Sequence, residues 1–224
     1  SRFNGTSSAA PMVSGVVALM LEANPDLTWR DVKHILATTA DQVDVSRSYD
    51  YRTITQYEWE TNSAGYKFHN WYGFGKVDAA EAVTTAKSYT ADSRGTFVYP
   101  GYKSSGDISA TINDNGTGTT SSISITAPVG SNNYVEHVGV YVQFSHAVPK
   151  SVGLRLQSPD GTIVNIMQPM TNVGTNPSAV LFKIGVNSLY GESMEGTWTI
   201  GVHDYIVDGT SGTLTQWGIW IYGN

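Results

Sequence analysis

The hydrophobic rhythm of the chain changes part-way along. Between residues 11 and 40 apolar positions recur at helical spacing: Val13, Val16, Val17, Met20 and Leu21 form one set, and Val32, Ile35 and Leu36 a second. The first helix is expected to open at Pro11, whose missing N–H costs nothing in a first turn, and to stop at Asn24-Pro25. Thr28, with Asp31 three residues on, has the form of a reciprocal N-terminal cap for the second helix. A third helical stretch, Val77 to Lys87, carries Ala79, Ala80, Ala82 and Ala86, small side chains that permit close packing. Between the second and third helices, Tyr49 to Trp71 is rich in aromatics without a clear period (Tyr51, Tyr57, Trp59, Tyr66 and Phe68 among them) and reads as an ordered loop pinned by its rings.

From Asp92 onward the period falls to two. Val138, Val140, Val142 and Phe144 alternate with other residues, as do Trp217, Ile219 and Ile221, the mark of half-buried strands. Ser158-Pro159-Asp160-Gly161 and Asp208-Gly209 supply turn chemistry between them. Several short strands so punctuated predict a β-sandwich. Asn113 to Ser122 is nearly all Asn, Asp, Gly, Thr and Ser and is expected to be a flexible loop. A helical part over residues 1–90 and a β part over residues 91–224 follow, and 224 residues suffice for two modest cores.

Charged residues make up 14% of the chain and its formal net charge is -6, which argues against a nucleic-acid partner. The absence of cysteine removes disulfides, thiolate metal sites and a cysteine nucleophile together. The apolar run Val13 to Leu21 is broken by Ser14 and Gly15 and falls short of the roughly 20 residues of a membrane span, so no membrane partner is expected. The residues around Arg2 lack the pattern of a signal peptide, which places any export address upstream of Ser1.

Chemistry concentrates at the mouth of the first helix, in Gly5-Thr6-Ser7-Ser8-Ala9-Ala10-Pro11. A serine hydroxyl attacks only when a base takes its proton, and the resulting oxyanion needs oriented donors. Free backbone N–H groups and the positive dipole end at a helix N-terminus supply part of that field. Taken from the residues alone, the cluster is most simply a helix cap.

The run Asn4-Gly5-Thr6-Ser7-Ser8-Ala9-Ala10-Pro11 closely resembles the serine motif of the subtilisin-like (subtilase) family, G-T-S-x-A-x-P, which implies that Ser7, and not Ser8, is the nucleophile. Trp59-Glu60-Thr61-Asn62, followed by Tyr72-Gly73-Phe74-Gly75 and the third helix, is similar to the end of the protease domain in the kexin and furin branch. Leu156 to Thr162, Gly191 to Ile200 and Gly212 to Trp217 are similar to the P domain, the β-sandwich that follows it in proprotein convertases. The resemblance implies the C-terminal helical part of an α/β subtilisin-like domain over residues 1–90, then a jelly-roll-like P domain over residues 91–224.

It further implies a secreted serine endopeptidase acting on protein or peptide substrates through Ser7, with an Asp, a His and an oxyanion Asn supplied from sequence upstream of Ser1. The family places its serine last, so His34, His69, His137, His146 and His203 are not expected to be the general base, and the chain alone is expected to be inactive. Members of the family bind Ca2+, and Asp107, Asp114, Asp160, Asp204 and Asp208 lie in loops suited to that ion, but their spacing matches no calcium loop and solvated turns are the simpler reading. Asn4 and Asn115 fit the glycosylation pattern; a sugar on Asn4 would block the nucleophile, and Asn115 reads as an ordinary turn. Trp198, Trp217 and Trp220 fall in strand-like runs and are expected in the core, not on a carbohydrate platform. Without its upstream partner the helical part is expected to expose Val16, Met20 and Ile35, while the sandwich folds by itself. The competing readings are a non-enzymatic β-sandwich binding module, with Ser7 only a cap, and a spent autolysis fragment.

Overall fold

The computed structural model describes residues 5–46, 49–50, 56–171 and 180–224; Arg2, Asn4 and Tyr51 lie outside them. The chain forms two compact units, one of Ser1–Arg47, Glu58–Glu60 and Lys67–Gly95, the other of Ser48–Tyr57, Thr61–Tyr66 and Thr96–Asn224. The first holds helices α1 (Thr6–Ala23), α2 (Trp29–Thr38) and α3 (Ala79–Ser88). Four two-residue strands, β1 (Tyr49–Asp50), β2 (Gln56–Tyr57), β3 (Glu60–Thr61) and β4 (Lys67–Phe68), lie between α2 and α3 in the chain.

Helix α1 begins at Thr6, so Pro11 sits inside it and not at its start. The proline is tolerated because it lies in the second turn, where the one lost bond is to the carbonyl of Ser7. The earlier start gives α1 18 residues at a mean hydropathy of 1.3, long and apolar enough to cross a membrane by those measures alone. The run from Val13 is shorter only because it omits Thr6 to Met12, which are helical too. Helix α2 starts as expected: Thr28 Oγ1 accepts from the Asp31 N–H while Asp31 Oδ2 accepts from the Thr28 N–H at 2.8 Å. Helix α3 opens at Ala79 on Asp78, which accepts from the Glu81 N–H at 2.9 Å. Met20, Leu27, Ile35, Ala82 and Ala86 form the core of this unit. Met20 and Ile35 are thus buried and not exposed as expected, since the alanines of α3 let the helices close over them. Among its exposed apolar side chains are Met12, Leu19 and Trp29, at 72%, 50% and 64% of their surface.

The second unit is an antiparallel β-sandwich. One sheet has the order β10 (Ile163–Met167), β9 (Val152–Gln157), β12 (Gly196–Asp204), β7 (Thr119–Ile125). The other runs β11 (Val180–Val186), β8 (Val135–His146), β13 (Gly212–Gly223), β5 (Lys103–Ser104), with β6 (Ala110–Ile112) also pairing β13. Alternate residues face inward as the pattern required: Val138, Val140, Val142 and Phe144 of β8, and Trp217, Ile219 and Ile221 of β13, are fully buried. Trp198 Nε1 donates to the Met194 carbonyl and Trp217 Nε1 to Ser121 Oγ, each at 2.9 Å, which satisfies both buried indoles. The expected loop Asn113 to Ser122 ends early, because Thr119 to Ser122 already pair with Val202 to Thr199 in β7. Composition concealed the strand: Ser122 and Thr199 hydroxyls bond across it at 2.8 Å, so its polar side chains stabilise the ladder.

Residues 61–66 lie in the sandwich unit although they precede α3 in the chain. The Asn62 amide donates to the carbonyls of Ser188 at 3.0 Å and Tyr190 at 2.9 Å. Its oxygen accepts from the N–H groups of Ala64 at 3.1 Å and Tyr66 at 2.9 Å. Every donor and acceptor of a buried side chain is therefore used. Beside it the Ser63 N–H donates to Glu192 Oε1 at 2.9 Å, and Tyr66 meets Tyr190 edge-on at 5.0 Å. Gly191, at φ 82°, leaves room for that ring: a Cβ there would stand 2.4 Å from Tyr66.

Across the sandwich, His146 of β8 and Asp204 of β12 form a buried pair, Nε2 to Oδ2 at 3.1 Å, with neither side chain exposed. His146 Nδ1 accepts from the Val148 N–H at 3.1 Å, so Nε2 carries the proton and donates it to the carboxylate. On the outer face of the β12 sheet, burial and the neighbouring Arg155 hold His203 below the usual imidazole range, against a bond to the Gly116 carbonyl.

Asn62→Ala is expected to lower the stability of the chain by about 2–4 kcal/mol, since it strips the donors from two buried carbonyls, and urea denaturation followed by tryptophan fluorescence measures this. For His203 the native state binds protons less readily than the unfolded chain. Stability is therefore unaffected well above the ordinary imidazole range and declines as pH falls through it, levelling once the native ring is itself protonated. His203→Gln is expected to flatten that part of a Tm-against-pH profile.

Candidate active site

Ser7 is the second residue of α1, and Gly5 is the residue before the helix. Gly5 holds φ 82°, ψ -170°, a backbone shape that a side chain would strain, so the chain turns sharply into the helix. The Gly5 carbonyl accepts from the N–H groups of Ser8 at 3.0 Å and Ala9 at 3.2 Å. It also accepts from Ser8 Oγ at 2.8 Å. The hydroxyl of Ser8 is therefore spent on the helix start.

Ser7 is exposed, and its hydroxyl has no partner among the described residues. As early members of the helix, Thr6 and Ser7 present backbone N–H groups that no intrahelical carbonyl reaches. Pro11 cannot donate to the Ser7 carbonyl, which leaves the peptide unit carrying Ser7 less tied to the helix than a typical second residue. The arrangement offers an accessible hydroxyl beside backbone donors and the positive end of a helix of 18 residues.

The histidines of the same unit are occupied. The His34 ring packs against Tyr89 at 5.9 Å, and His69, 3% exposed, accepts from the Trp71 N–H through Nδ1 at 3.0 Å while stacking on Tyr72 at 4.6 Å. The loop containing His69 is pinned by its rings as expected: Trp59 Nε1 donates to the Val43 carbonyl at 2.8 Å and Tyr72 to Asp44 at 2.8 Å.

No group of three or more His, Cys, Asp or Glu side chains converges among the described residues. Asp204 is not a solvated turn residue but ends β12, buried against His146. Asp114 accepts from the N–H groups of Asp208 and Gly209 at 3.0 and 2.6 Å, and Asp160 from that of Ser193 at 2.7 Å, so these carboxylates close loops. The pairing of His146 with Asp204 was not foreseen, because 58 residues separate them and no local pattern joins them. Asn62 could be found only through the resemblance of its Trp-x-x-Asn segment.

Residues 1–75 match the subtilase family model, and residues 135–221 match the proprotein convertase P-domain. The chain belongs to the kexin-like branch of the subtilases, as the C-terminal part of the protease domain followed by the P domain. It is 33% identical to human proprotein convertase subtilisin/kexin type 6 over 98% of its own length and 22% of that relative. It is 28% identical to furin-1 of Xenopus laevis over 98% of its length and 26% of that relative. The chain thus spans about a quarter or less of the curated relatives it matches. Among solved structures, a serine protease of Aeromonas sobria superposes with a TM-score of 0.84 at 27% identity, covering 99% of this chain and 44% of that one.

Stability alone separates the two hydroxyls. Ser8→Ala, which removes the bond to Gly5, is expected to cost about 0.5–1 kcal/mol, and Ser7→Ala to stay within about 0.5 kcal/mol of the parent in thermal melts of the chain.

Proposed function

We propose that this chain supplies the nucleophile and the P domain of a secreted serine endopeptidase. Residues 1–90 are the C-terminal portion of its subtilisin-like domain, and residues 91–224 the P domain that stabilises it. The observation that carries the reading is the unspent, exposed Ser7 hydroxyl at the mouth of α1, beside a Ser8 hydroxyl already committed to Gly5. In the proposed reaction an imidazole removes the Ser7 proton as Oγ attacks the peptide carbonyl. Backbone N–H groups at the helix start share in holding the oxyanion, the amine departs with the proton, and water then releases the acyl group by the same route. The His, the orienting Asp and the oxyanion Asn come from sequence N-terminal to Ser1. The exposed Met12, Leu19 and Trp29 support a missing neighbour for the helical unit, since they lie outside the core that α1, α2 and α3 make for themselves.

The test uses the full-length protein. Ser7→Ala is expected to lower kcat toward peptide substrates by about six orders of magnitude with Tm unchanged, and a fluorophosphonate probe to label Ser7 in the parent alone. Retained turnover in that variant overturns the assignment. Hydrolysis by residues 1–224 alone, sensitive to phenylmethylsulfonyl fluoride, would overturn the requirement for an upstream segment.

A further inference from the structure

The outward face of the β8–β13 sheet is paved with aromatic rings. Trp198 and Trp217 are in the core as expected, but Trp220 is not: it follows inward-facing Ile219 and lies, half-buried, on the outer face. It pairs with Gly139, and a Cβ on that glycine would fall 1.9 Å from the indole, so the ring sits against bare backbone. Tyr102 reaches over Gly218, where a Cβ would stand 2.2 Å from its hydroxyl, and its ring is tilted 43° from that of Trp220. Tyr99 stacks on Tyr222 at 4.8 Å, yet Tyr99 and Tyr102 keep 47% and 48% of their surface exposed.

These rings enclose a hollow of about 430 Å³ lined by Tyr99, Tyr102, Tyr141, Lys183, Trp220 and Tyr222. The volume is within the range of small-ligand sites. No carboxylate lines it, and its one charge is the exposed ammonium of Lys183, on a chain whose net charge is -6. Aromatic rings beside glycine offer π-faces to the C–H face of a sugar ring, phenolic hydroxyls and an indole N–H offer bonds to its hydroxyls, and the lone cation selects for an anionic substituent. We propose that this hollow binds an acidic sugar, a hexuronate unit of a polysaccharide, with its pyranose face on the aromatic rings and its carboxylate on Lys183. The proposal is independent of the role of Ser7.

Titration of the ¹⁵N-labelled chain with trigalacturonate tests it. The expected result is a saturable shift of the Trp220 indole N–H, assigned by its loss in Trp220→Phe. Lys183→Gln, a change at an exposed side chain, is expected to weaken binding about fivefold with the remaining spectrum unaltered, and neutral galactotriose to bind the parent weaker by a similar factor. The proposal is overturned by the absence of a saturable shift. Equal affinity for galactotriose, or unchanged affinity in Lys183→Gln, overturns the acidic requirement and with it the assignment. Equal binding of hexaglutamate overturns the sugar and gives the face to acidic peptides.

Discussion

The sandwich depends on one side-chain amide. Asn62 closes a six-residue segment on itself through the N–H groups of Ala64 and Tyr66, and in the same plane hands its two protons to the carbonyls of Ser188 and Tyr190. No other side chain of similar size offers two donors and two lone pairs in that geometry; aspartate lacks the donors and leucine all four. Around it the Ser63 N–H, the Tyr66 ring and the bare backbone of Gly191 complete a joint between chain segments more than 120 residues apart. Residues 61–66 thus belong to the same compact unit as residues 96–224, although α3 lies between them in the chain.

How far the sequence could be read follows from how local each signal is. Alternation along β8 and β13 announced the inward face residue by residue, and the Thr28–Asp31 cap is written within four positions. Polar strand β7 was hidden, because serine and threonine look the same in a loop as on the edge of a sheet until the partner strand is known. Trp220 misled for a related reason: a strand-like run does not say which parity faces inward, and Trp217 and Trp220 are an odd number apart with a bulge between Leu214 and Gln216 nearby. Met20 and Ile35, expected to be exposed without an upstream partner, are covered by Ala82 and Ala86 of a helix distant in the chain.

At the mouth of α1 the motif resemblance ranks Ser7 above Ser8, but the residues by themselves give no physical reason for the ranking. The structure adds a physical difference: one hydroxyl is consumed in starting the helix and its neighbour is left over. Gly5 and Pro11 bracket that difference, the first by its left-handed turn and the second by withholding a donor from the carbonyl of Ser7.

The buried pair of His146 and Asp204 has a consequence for how the two layers settle. Apolar faces tolerate sliding, because one methyl group replaces another at small loss. A carboxylate sealed from water does not: shifting either layer by a residue would strand the Asp204 charge among hydrocarbon and turn the His146 donor toward nothing. The pair therefore works as a locating pin, contributing little net attraction yet excluding near-miss alignments that the greasy interior alone would accept.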